Sequence, residues 1–427
     1  MHEDLKNTLR AKLTESIGAL GVGLDASPAG TKHLRARIEQ TAARLLRRQW
    51  SDELSPAERS QILDELVAEL LGLGPLERLL HEPAVSEIMV NGAEAIYVER
   101  AGRIERIASV FPSVDALMTV IERMLAPVGR RVTEAEPYVD ARLPDGSRVN
   151  VVIPPAAIGA PYVTIRKFSK AILSLDDLIA VETLTPQAAS FLESCVKGRL
   201  NIIVSGPASS GKTTLLNLLA TAIPAGERVV ILEDTAELQL ASRHHAVRLE
   251  TRPANIEGKG EITLRSLLKN ALHMRPDRLI VGEVRGPEAL DMLQAMTTGH
   301  DGSMSTVHAN NAADVLSRLA VMALTTMVEL SDAAIERQVR SALDLIIHME
   351  RFADGTRKIM QISEVRKDPE PGAPALLDLF ILADGSRTGG APPPQALVPT
   401  GHRPAFLERL GHYGVSLPEA MWAGRVP

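Results

Sequence analysis

The octapeptide Gly206-Pro207-Ala208-Ser209-Ser210-Gly211-Lys212-Thr213 decides how this chain folds. It matches the pattern G-x-x-x-x-G-K-[ST], in which backbone N–H groups and a helix N-terminus surround a phosphate. Residues 200–205 before it form a largely apolar run typical of a buried strand, and residues 214–219 after it have the apolar spacing of a helix. A strand, this loop and a helix in succession predict a phosphate-binding loop at the carboxyl end of a sheet strand.

The loop predicts a nucleoside triphosphate as ligand. Its two glycines allow the chain to wrap tightly, Lys212 would reach the β- and γ-phosphates, and the Thr213 hydroxyl would bind Mg²⁺. A chance match is the alternative, and the flanking strand and helix argue against it. The predicted nucleotide-binding residues are Gly206, Pro207, Ala208, Ser209, Ser210, Gly211, Lys212, Thr213 and Thr214.

Acidic residues end two further apolar runs. The carboxyl ends of neighbouring parallel strands face the same crevice, so Glu233 and Asp234 can lie beside the loop and interact with metal or water. Glu233 is expected to assist in binding Mg²⁺ through a water molecule. Glu283 closes the run from 278 and is the predicted general base, because an acid there can orient or deprotonate the attacking water. Gly282 stands where many P-loop enzymes have aspartate, which leaves the metal mostly to Thr213. The alternative is that these acids only cap the helices that follow.

His308 closes a small polar run after a strand-like stretch. A lone histidine is more often structural than functional. The functional alternative is a sensor of the γ-phosphate.

Composition limits the class of protein. The 427 residues include 47 Lys and Arg against 53 Asp and Glu, a net charge of −6, and only 3% aromatic residues, which disfavours a nucleic-acid-binding surface. The single cysteine, Cys195, excludes an intrachain disulfide framework and is expected to be buried. No apolar run approaches the ~18 residues that cross a bilayer, so we expect a cytosolic or peripherally attached protein.

The pattern along the chain predicts an α/β protein with several parts. Strands alternate with helices over residues 186–365, which predicts a mostly parallel sheet and the catalytic domain. An Asn91-Gly92 hairpin signal, a helix at 114–125 and strands at 138–143, 148–153 and 162–168 predict an α+β domain over 71–170. The other predicted parts are a helical segment at 1–70, a connector at 171–185 and a proline-rich extension at 366–427 with a short helix at 405–410.

Taken together, the motifs resemble the CpaF family of Tad/Flp pilus assembly ATPases, within the type II and type IV secretion ATPase superfamily. Four boxes carry the superfamily resemblance: the loop at 206–213, the acidic box at 231–238, the strand end Gly282-Glu283-Val284-Arg285 and the histidine box ending at His308. Matches closer to CpaF lie at 72–76, 87–92, 140–150, 165–168, 401–407 and 414–418. The resemblance covers about residue 65 to the end. Residues 207–210 replace the more usual Gly-Thr-Gly-Ser of the family.

The resemblance implies a RecA-like ATPase core preceded by an α+β, PAS-like domain. It also implies a homo-hexamer that hydrolyses ATP with Mg²⁺ and drives pilin through inner-membrane platform proteins, from the cytoplasmic side and peripheral to the inner membrane. Arg142, Arg148 and Arg166 match the arginines that complete the nucleotide site in related ATPases, where a guanidinium can neutralise the γ-phosphate oxygens. Arg285 joins the predicted catalytic set, and the connector is the expected hinge.

Two other functions remain open. A RecA-like, nucleic-acid-dependent ATPase shares the core, but the acidic charge balance argues against nucleic acid as a partner. A scaffold that binds nucleotide without hydrolysis would not need Lys212, Thr213 and Glu283 together.

Overall fold

The computed structural model describes two compact units, Met1–Lys170 (unit 1) and Ala171–Pro427 (unit 2). The described residues are 72–100, 102–108, 110–167, 174–240, 245–252, 254, 259–326, 331–370, 373–383 and 396–422, with isolated positions at 40, 41, 43, 44 and 55. The predicted helical segment at 1–70 therefore lies almost entirely outside the described residues.

Within its described residues 72–167, unit 1 is an antiparallel sheet with two α-helices, in the order α1 (Pro75–His81), β1 (Val85–Asn91), β2 (Ala95–Arg100), β3 (Arg103–Ile107), α2 (Val114–Leu125), β4 (Tyr138–Arg142), β5 (Arg148–Val152) and β6 (Tyr162–Arg166). The strands are ordered β3-β2-β1-β6-β5-β4, and each neighbouring pair is antiparallel. The predicted hairpin turn is confirmed, with Gly92 at φ 68°, a conformation that glycine adopts without strain.

Strand alternation gives the sheet of unit 1 one buried face. Val139, Val151 and Val163 are cross-strand neighbours, and the valines at 151 and 163 are almost fully buried with the apolar face of α2. Helix α2 begins at the Ser113 side chain, which accepts a hydrogen bond from the Ala116 N–H at 3.1 Å. The helix and strands predicted for this part of the chain are confirmed. The other face of the sheet carries the polar residues described below.

Unit 2 contains a nine-stranded sheet ordered β15-β14-β13-β12-β7-β11-β10-β8-β9. The six strands from β12 to β9 are parallel, and β13, β14 and β15 continue the sheet as antiparallel strands. The strands are β7 (Ile202–Gly206), β8 (Arg228–Glu233), β9 (His245–Glu250), β10 (Arg278–Val284), β11 (Met304–His308), β12 (Leu345–Arg351), β13 (Arg357–Val365), β14 (Leu376–Leu382) and β15 (Leu397–Pro399). The predicted α/β fold with a mostly parallel sheet is confirmed.

Helices cover both faces of this sheet: α3 (Leu175–Ala180), α4 (Pro186–Lys197), α5 (Lys212–Thr221), α6 (Leu264–Ala271), α7 (Glu288–Thr297), α8 (Ala312–Leu324), α9 (Asp332–Ala342) and α10 (Leu407–His412). Side chains alternate along each parallel strand, so Ile202 and Val204 enter the core with α4 and α5 while Ile203 enters the core with α6 to α9. Cys195 is fully buried on α4, as predicted.

Residues after 365 complete unit 2. In addition to a short helix, where the sequence predicted one, they supply β14 and β15, which the sequence pattern did not indicate. Phe380, Phe406 and Trp422 surround Phe191 of α4, with ring centroids 5.1, 6.4 and 5.9 Å from it. This aromatic cluster ties the end of the chain to the core.

The second part of the predicted connector also packs into unit 2. Leu178 and Leu184 belong to the core on the α4 side. The Thr183 hydroxyl donates to the Arg357 carbonyl oxygen at 2.9 Å, which joins this segment to β13.

Candidate nucleotide-binding site

The phosphate-binding loop follows β7 and leads into α5, as predicted. Gly206 has φ 152°, and a Cβ there would overlap the Met349 carbonyl oxygen and lie 2.7 Å from the Ser210 Oγ. Gly211 precedes α5 with φ 98°, in the left-handed region. Both positions therefore require glycine, and these two glycines allow the backbone of the loop to turn tightly.

The side chains of the loop suit a phosphate ligand. Lys212 is 8% exposed, and its Nζ donates to the Pro207 carbonyl oxygen at 2.8 Å, which places the ammonium group within the loop. The buried Ser210 Oγ makes no hydrogen bond within the described part of the chain. Thr213 is half-buried in the first turn of α5, and Thr214 is exposed. A cation, a buried hydroxyl and the N-terminus of a helix together can hold a triphosphate and its metal.

Glu233 occupies the space beside Gly282. Glu233 ends β8, Gly282 lies near the end of the paired strand β10, and a Cβ on Gly282 would lie 3.1 Å from the Glu233 Cγ. Gly282 is therefore the residue that leaves room for the Glu233 side chain. The neighbouring strand β8 thus places a carboxylate side chain beside the position where many P-loop enzymes have aspartate.

Glu233 is a buried and only partly neutralised acid. It is 2% exposed, and its Oε1 accepts hydrogen bonds from the Glu237 and Leu238 N–H groups at 2.8 and 2.9 Å. Its Oε2 makes no hydrogen bond with any residue that the structure describes, and the Arg248 Nη2 lies 3.8 Å from it. Burial raises the pKa of Glu233, against the lowering effect of the two N–H donors and Arg248. An unfilled carboxylate oxygen at a strand end can accept a metal-bound water.

Glu283 is turned out of the sheet by a bulge. Gly282 and Glu283 together oppose Thr306 of β11, whose hydroxyl donates to the Gly282 carbonyl oxygen at 2.8 Å. The Glu283 Oε2 accepts hydrogen bonds from Arg285, including one from Nε at 2.9 Å, and the Arg285 Nη1 lies 4.0 Å from the Asp234 Oδ2. The two predicted acids on different strands thus share one arginine.

Glu288 shapes the turn that carries Arg285. Its Oε1 accepts hydrogen bonds from the backbone N–H groups of Arg285 and Gly286, both at 2.8 Å, and the residue is 8% exposed. The sequence analysis did not single out Glu288. Its position, two residues after glycine in the first turn of α7, is the available signal.

His308 lies directly beside the loop. It ends β11 in register with Gly206 of β7, and it is half-buried. Because β11 lies between β7 and β10, His308 stands between the phosphate-binding loop and the strand that carries Glu283. The structure therefore brings the loop, His308, Glu283, Glu233 and their neighbours Asp234 and Arg285 to one edge of one sheet.

The three predicted arginines form a row in unit 1. Arg142 pairs with Arg148 across β4 and β5, and Arg148 pairs with Arg166 across β5 and β6. Directly paired residues of an antiparallel sheet share a face, so the three side chains (hereafter the arginine row) emerge side by side on the face opposite the core. Glu87 of β1 continues the row as the partner of Arg166. The row therefore places three guanidinium groups side by side, with one carboxylate next to the last of them.

Two further residues near the loop were missed by the sequence analysis: one contacts Ser205, just before the loop, and the other contacts the loop itself. His348 of β12 is 2% exposed, its Nδ1 is hydrogen-bonded to the Ser205 Oγ at 3.0 Å, and burial lowers its pKa. The Arg357 Nε donates to the Ser209 carbonyl oxygen at 3.0 Å. Both lie more than 140 positions after their partners. No local motif marks them, because only the pairing of β12 with β7 brings them to the loop.

A glycine-bounded phosphate loop on a buried parallel strand, with carboxylates ending the adjacent strands, defines a P-loop nucleotide-hydrolysing protein. The family model of the type II/IV secretion system proteins matches residues 69–371. The chain belongs to this family, and it is an ATPase of the type II/IV secretion ATPase superfamily.

Relatives of known name agree with this assignment. A Mycobacterium tuberculosis protein named for conjugal transfer is 37% identical over 309 residues, which are 71% of this chain and 87% of that protein. The type IV secretion system protein VirB11 of Brucella suis is 31% identical over 324 residues, 70% of this chain and 89% of VirB11. The crystal structure of the pilus retraction motor PilT with bound ADP covers 67% of this chain and 80% of PilT at a TM-score of 0.50 and 21% identity, a likeness of fold. These relatives support the superfamily and do not single out CpaF.

Two kinds of feature are absent from the described residues. No helix among them is both long enough and apolar enough to cross a membrane. No group of three or more His, Cys, Asp or Glu side chains among them is arranged to hold a metal ion.

Proposed function

We propose that this chain is the motor ATPase of a Tad/Flp-type pilus, a hexamer that acts on platform proteins from the cytoplasmic face of the inner membrane. The observation that carries the proposal is the convergence of the loop, His308, Glu283 and Glu233 at one sheet edge, in a chain whose family and relatives belong to secretion and conjugation systems. The motifs outside the catalytic core, at 72–76, 87–92 and 140–150, support the CpaF branch.

The proposed ligand is ATP with Mg²⁺. Lys212 binds the β- and γ-phosphates, and the backbone N–H groups of 206–214 surround them. Thr213 would hold Mg²⁺, with Glu233 as a helper through a water, and the ion would withdraw charge from the phosphate oxygens when bound. PilT, a neighbour in fold, was crystallised with ADP, which supports a nucleotide in this loop.

Glu283 orients the attacking water in the proposed hydrolysis. Its carboxylate is 22% exposed and fixed by Arg285, so it can accept a hydrogen bond from water while keeping a defined direction. His308, next to Gly206, contacts the γ-phosphate and reports its loss. Arg285 and Asp234 keep Glu283 in place.

The arginine row supplies the remaining positive charge in the assembled ring. A guanidinium of this row neutralises the γ-phosphate oxygens, and its release after hydrolysis lets unit 1 move relative to unit 2 about the connector at 171–185. The cross-strand pairing of Arg142, Arg148 and Arg166 supports this role, because it presents three guanidinium groups together.

Phosphate release from the purified full-length chain tests the enzymatic core of the proposal. We expect Lys212→Ala to lose ATP binding, and Glu283→Gln to bind ATP but to hydrolyse it about 10² to 10⁴ times more slowly. Lys358→Ala, which removes a cation that pairs with Glu182 at 3.6 Å, is the matched control and should behave like the parent. Parent-like turnover in Lys212→Ala would remove the basis of the proposal. A parent chain without turnover would favour the scaffold.

The assembly and the partner need separate measurements. Mass photometry with ATP should give six copies per particle, and Arg148→Ala should reduce turnover about 10³-fold or more without reducing ATP binding, if Arg148 is the arginine that reaches the γ-phosphate. Full activity in all three single alanine variants of the row would exclude the arginine mechanism. Strong stimulation by single-stranded DNA would favour the nucleic-acid-dependent alternative. Normal pili in a host that carries only Lys212→Ala would exclude the pilus motor.

A further inference from the structure

The hairpin between β12 and β13 touches the phosphate-binding loop from the side opposite to the catalytic acids. In the sheet, β11, β10 and β8 lie on one side of β7, and β12 and β13 lie on the other. Catalytic candidates occupy only the first side. The second side contacts the loop at two points: Met349 lies against Gly206, and the Arg357 Nε donates to the Ser209 carbonyl oxygen at 3.0 Å.

The backbone of Arg357 is fixed where its exposed side chain makes this contact. Its carbonyl oxygen accepts a hydrogen bond from Thr183, a residue only 5% exposed, at 2.9 Å. The hairpin turn before it is closed by the Phe352 N–H to the Thr356 carbonyl oxygen at 2.8 Å and by the Asp354 side chain on Thr356. The arginine stem also lies over the loop, because a Cβ on Gly211 would be 3.3 Å from the Arg357 Cδ.

The partner of Arg357 in the loop has an unusual backbone. Ser209 has φ 59°, in the left-handed region, where a residue with a side chain is strained and glycine is not. Ser209 also stands where the family pattern has glycine. A loop that carries serine here needs an external contact to hold that conformation, and the bond from Arg357 is such a contact.

We propose that Arg357 is a positioning residue for nucleotide binding, on the basis that the loop binds ATP as proposed above. In a trans peptide the C=O and the following N–H point in opposite directions. A guanidinium that holds the Ser209 C=O on the hairpin side therefore turns the Ser210 N–H towards the interior of the loop, where it meets phosphate. Arg357 acts through this peptide and not by contact with the reacting atoms.

The test is the KM for ATP and the kcat of full-length Arg357→Ala, with the Kd of a fluorescent ATP analogue. We expect KM and Kd to rise about tenfold, because one charge-assisted hydrogen bond that orients a binding group is lost. The kcat should change less than about threefold, since the bond serves substrate and transition state alike. Arg357→Lys, which keeps a cationic donor, should recover most of the affinity. It also keeps the proposal testable if the alanine variant does not fold.

Ser209→Gly gives the decisive combination. Glycine adopts the left-handed conformation without help, so Arg357→Ala should raise KM much less when position 209 is glycine. An equal rise with serine and with glycine would overturn the proposal, as would an Arg357→Ala variant with unchanged KM and Kd or with a defect in kcat alone. Lys358→Ala is the matched control for loss of charge on β13. Lys212→Ala separates failure of the proposed function from failure of the proposal on Arg357. If Lys212→Ala still binds the analogue, the loop is not the nucleotide site and the proposed function fails, whatever the Arg357 variants show.

Discussion

Replacing Gly282 by aspartate would give this chain the residue that many P-loop enzymes have at the end of this strand, and we expect the change to damage the protein. The space is already filled, because a Cβ at 282 would lie 3.1 Å from the Glu233 Cγ and 3.6 Å from the Leu232 carbonyl oxygen. Glu233 cannot move away easily, since two backbone N–H groups hold its Oε1.

The magnitude follows from these contacts. Gly282→Ala introduces only the overlap, and overpacking of a filled site costs about 1 to 3 kcal/mol. Gly282→Asp adds a second carboxylate beside the buried acid Glu233, and two like charges ~4 Å apart repel by about 4 kcal/mol at an effective dielectric constant near 20. The aspartate variant should therefore be the less stable of the two. A domain of this size loses roughly 2 to 4 °C of melting temperature for each kcal/mol.

Calorimetry on the full-length chain measures both variants. Gly226→Ala is the matched control, because a Cβ at that glycine has no heavy atom within 4 Å. The informative comparison adds Glu233→Ala, which empties the space, so Gly282→Asp should then lower the melting temperature by less than half as much. An equal loss in both backgrounds would show that Glu233 is not what excludes a side chain at 282.

Three other changes test the electrostatics of unit 2. Burial raises the pKa of Glu233, so ionisation of this carboxyl group opposes folding as the pH rises above about 4.5. Glu233→Gln should therefore raise the melting temperature at about pH 8. This increase in melting temperature should vanish as the pH is lowered towards 4.5. Burial lowers the pKa of His348, so stability should fall as the pH drops below about 6.5, and His348→Gln should flatten that part of a melting profile. Arg409 donates two hydrogen bonds, at 2.7 and 3.0 Å, to the carboxylate of Asp344, which is 3% exposed. Arg409→Ala should therefore destabilise unit 2, as measured by calorimetry. The loss should be limited to about 1 to 3 kcal/mol, because Lys367 still lies 3.0 Å from that carboxylate.

Local patterns were sufficient to predict that the loop, Glu233 and Glu283 lie together at the carboxyl end of the parallel strands. The phosphate loop, Glu233 and Glu283 each follow an apolar strand run directly, and parallel strands place such ends together. The sequence also indicated Gly282 as a departure from the usual aspartate. It could not give the reason, which is the cross-strand distance to the Glu233 side chain.

The residues that the sequence did not reveal depend on pairing between distant segments. Arg357 and His348 reach the loop because β12 pairs with β7, and the turn residues around them look like any hairpin. Strands β14 and β15 lie in the proline-rich extension, whose composition indicates little regular structure. The arginines of unit 1 were candidates by resemblance, but their alignment in one row depends on the registers of β4, β5 and β6.

The sheet order separates two tasks around β7. Strands β11, β10 and β8 carry His308, Glu283 and Glu233, whose proposed partners are the γ-phosphate, the water and the metal. The strands on the other side, β12 and β13, carry His348, which contacts Ser205 just before the loop, and Arg357, which contacts Ser209 in the loop. A group that only shapes the loop acts on the bound substrate and on the transition state to the same extent, so it governs affinity more than rate. The loop can therefore be weakened from the hairpin side while the chemistry on the other side stays intact.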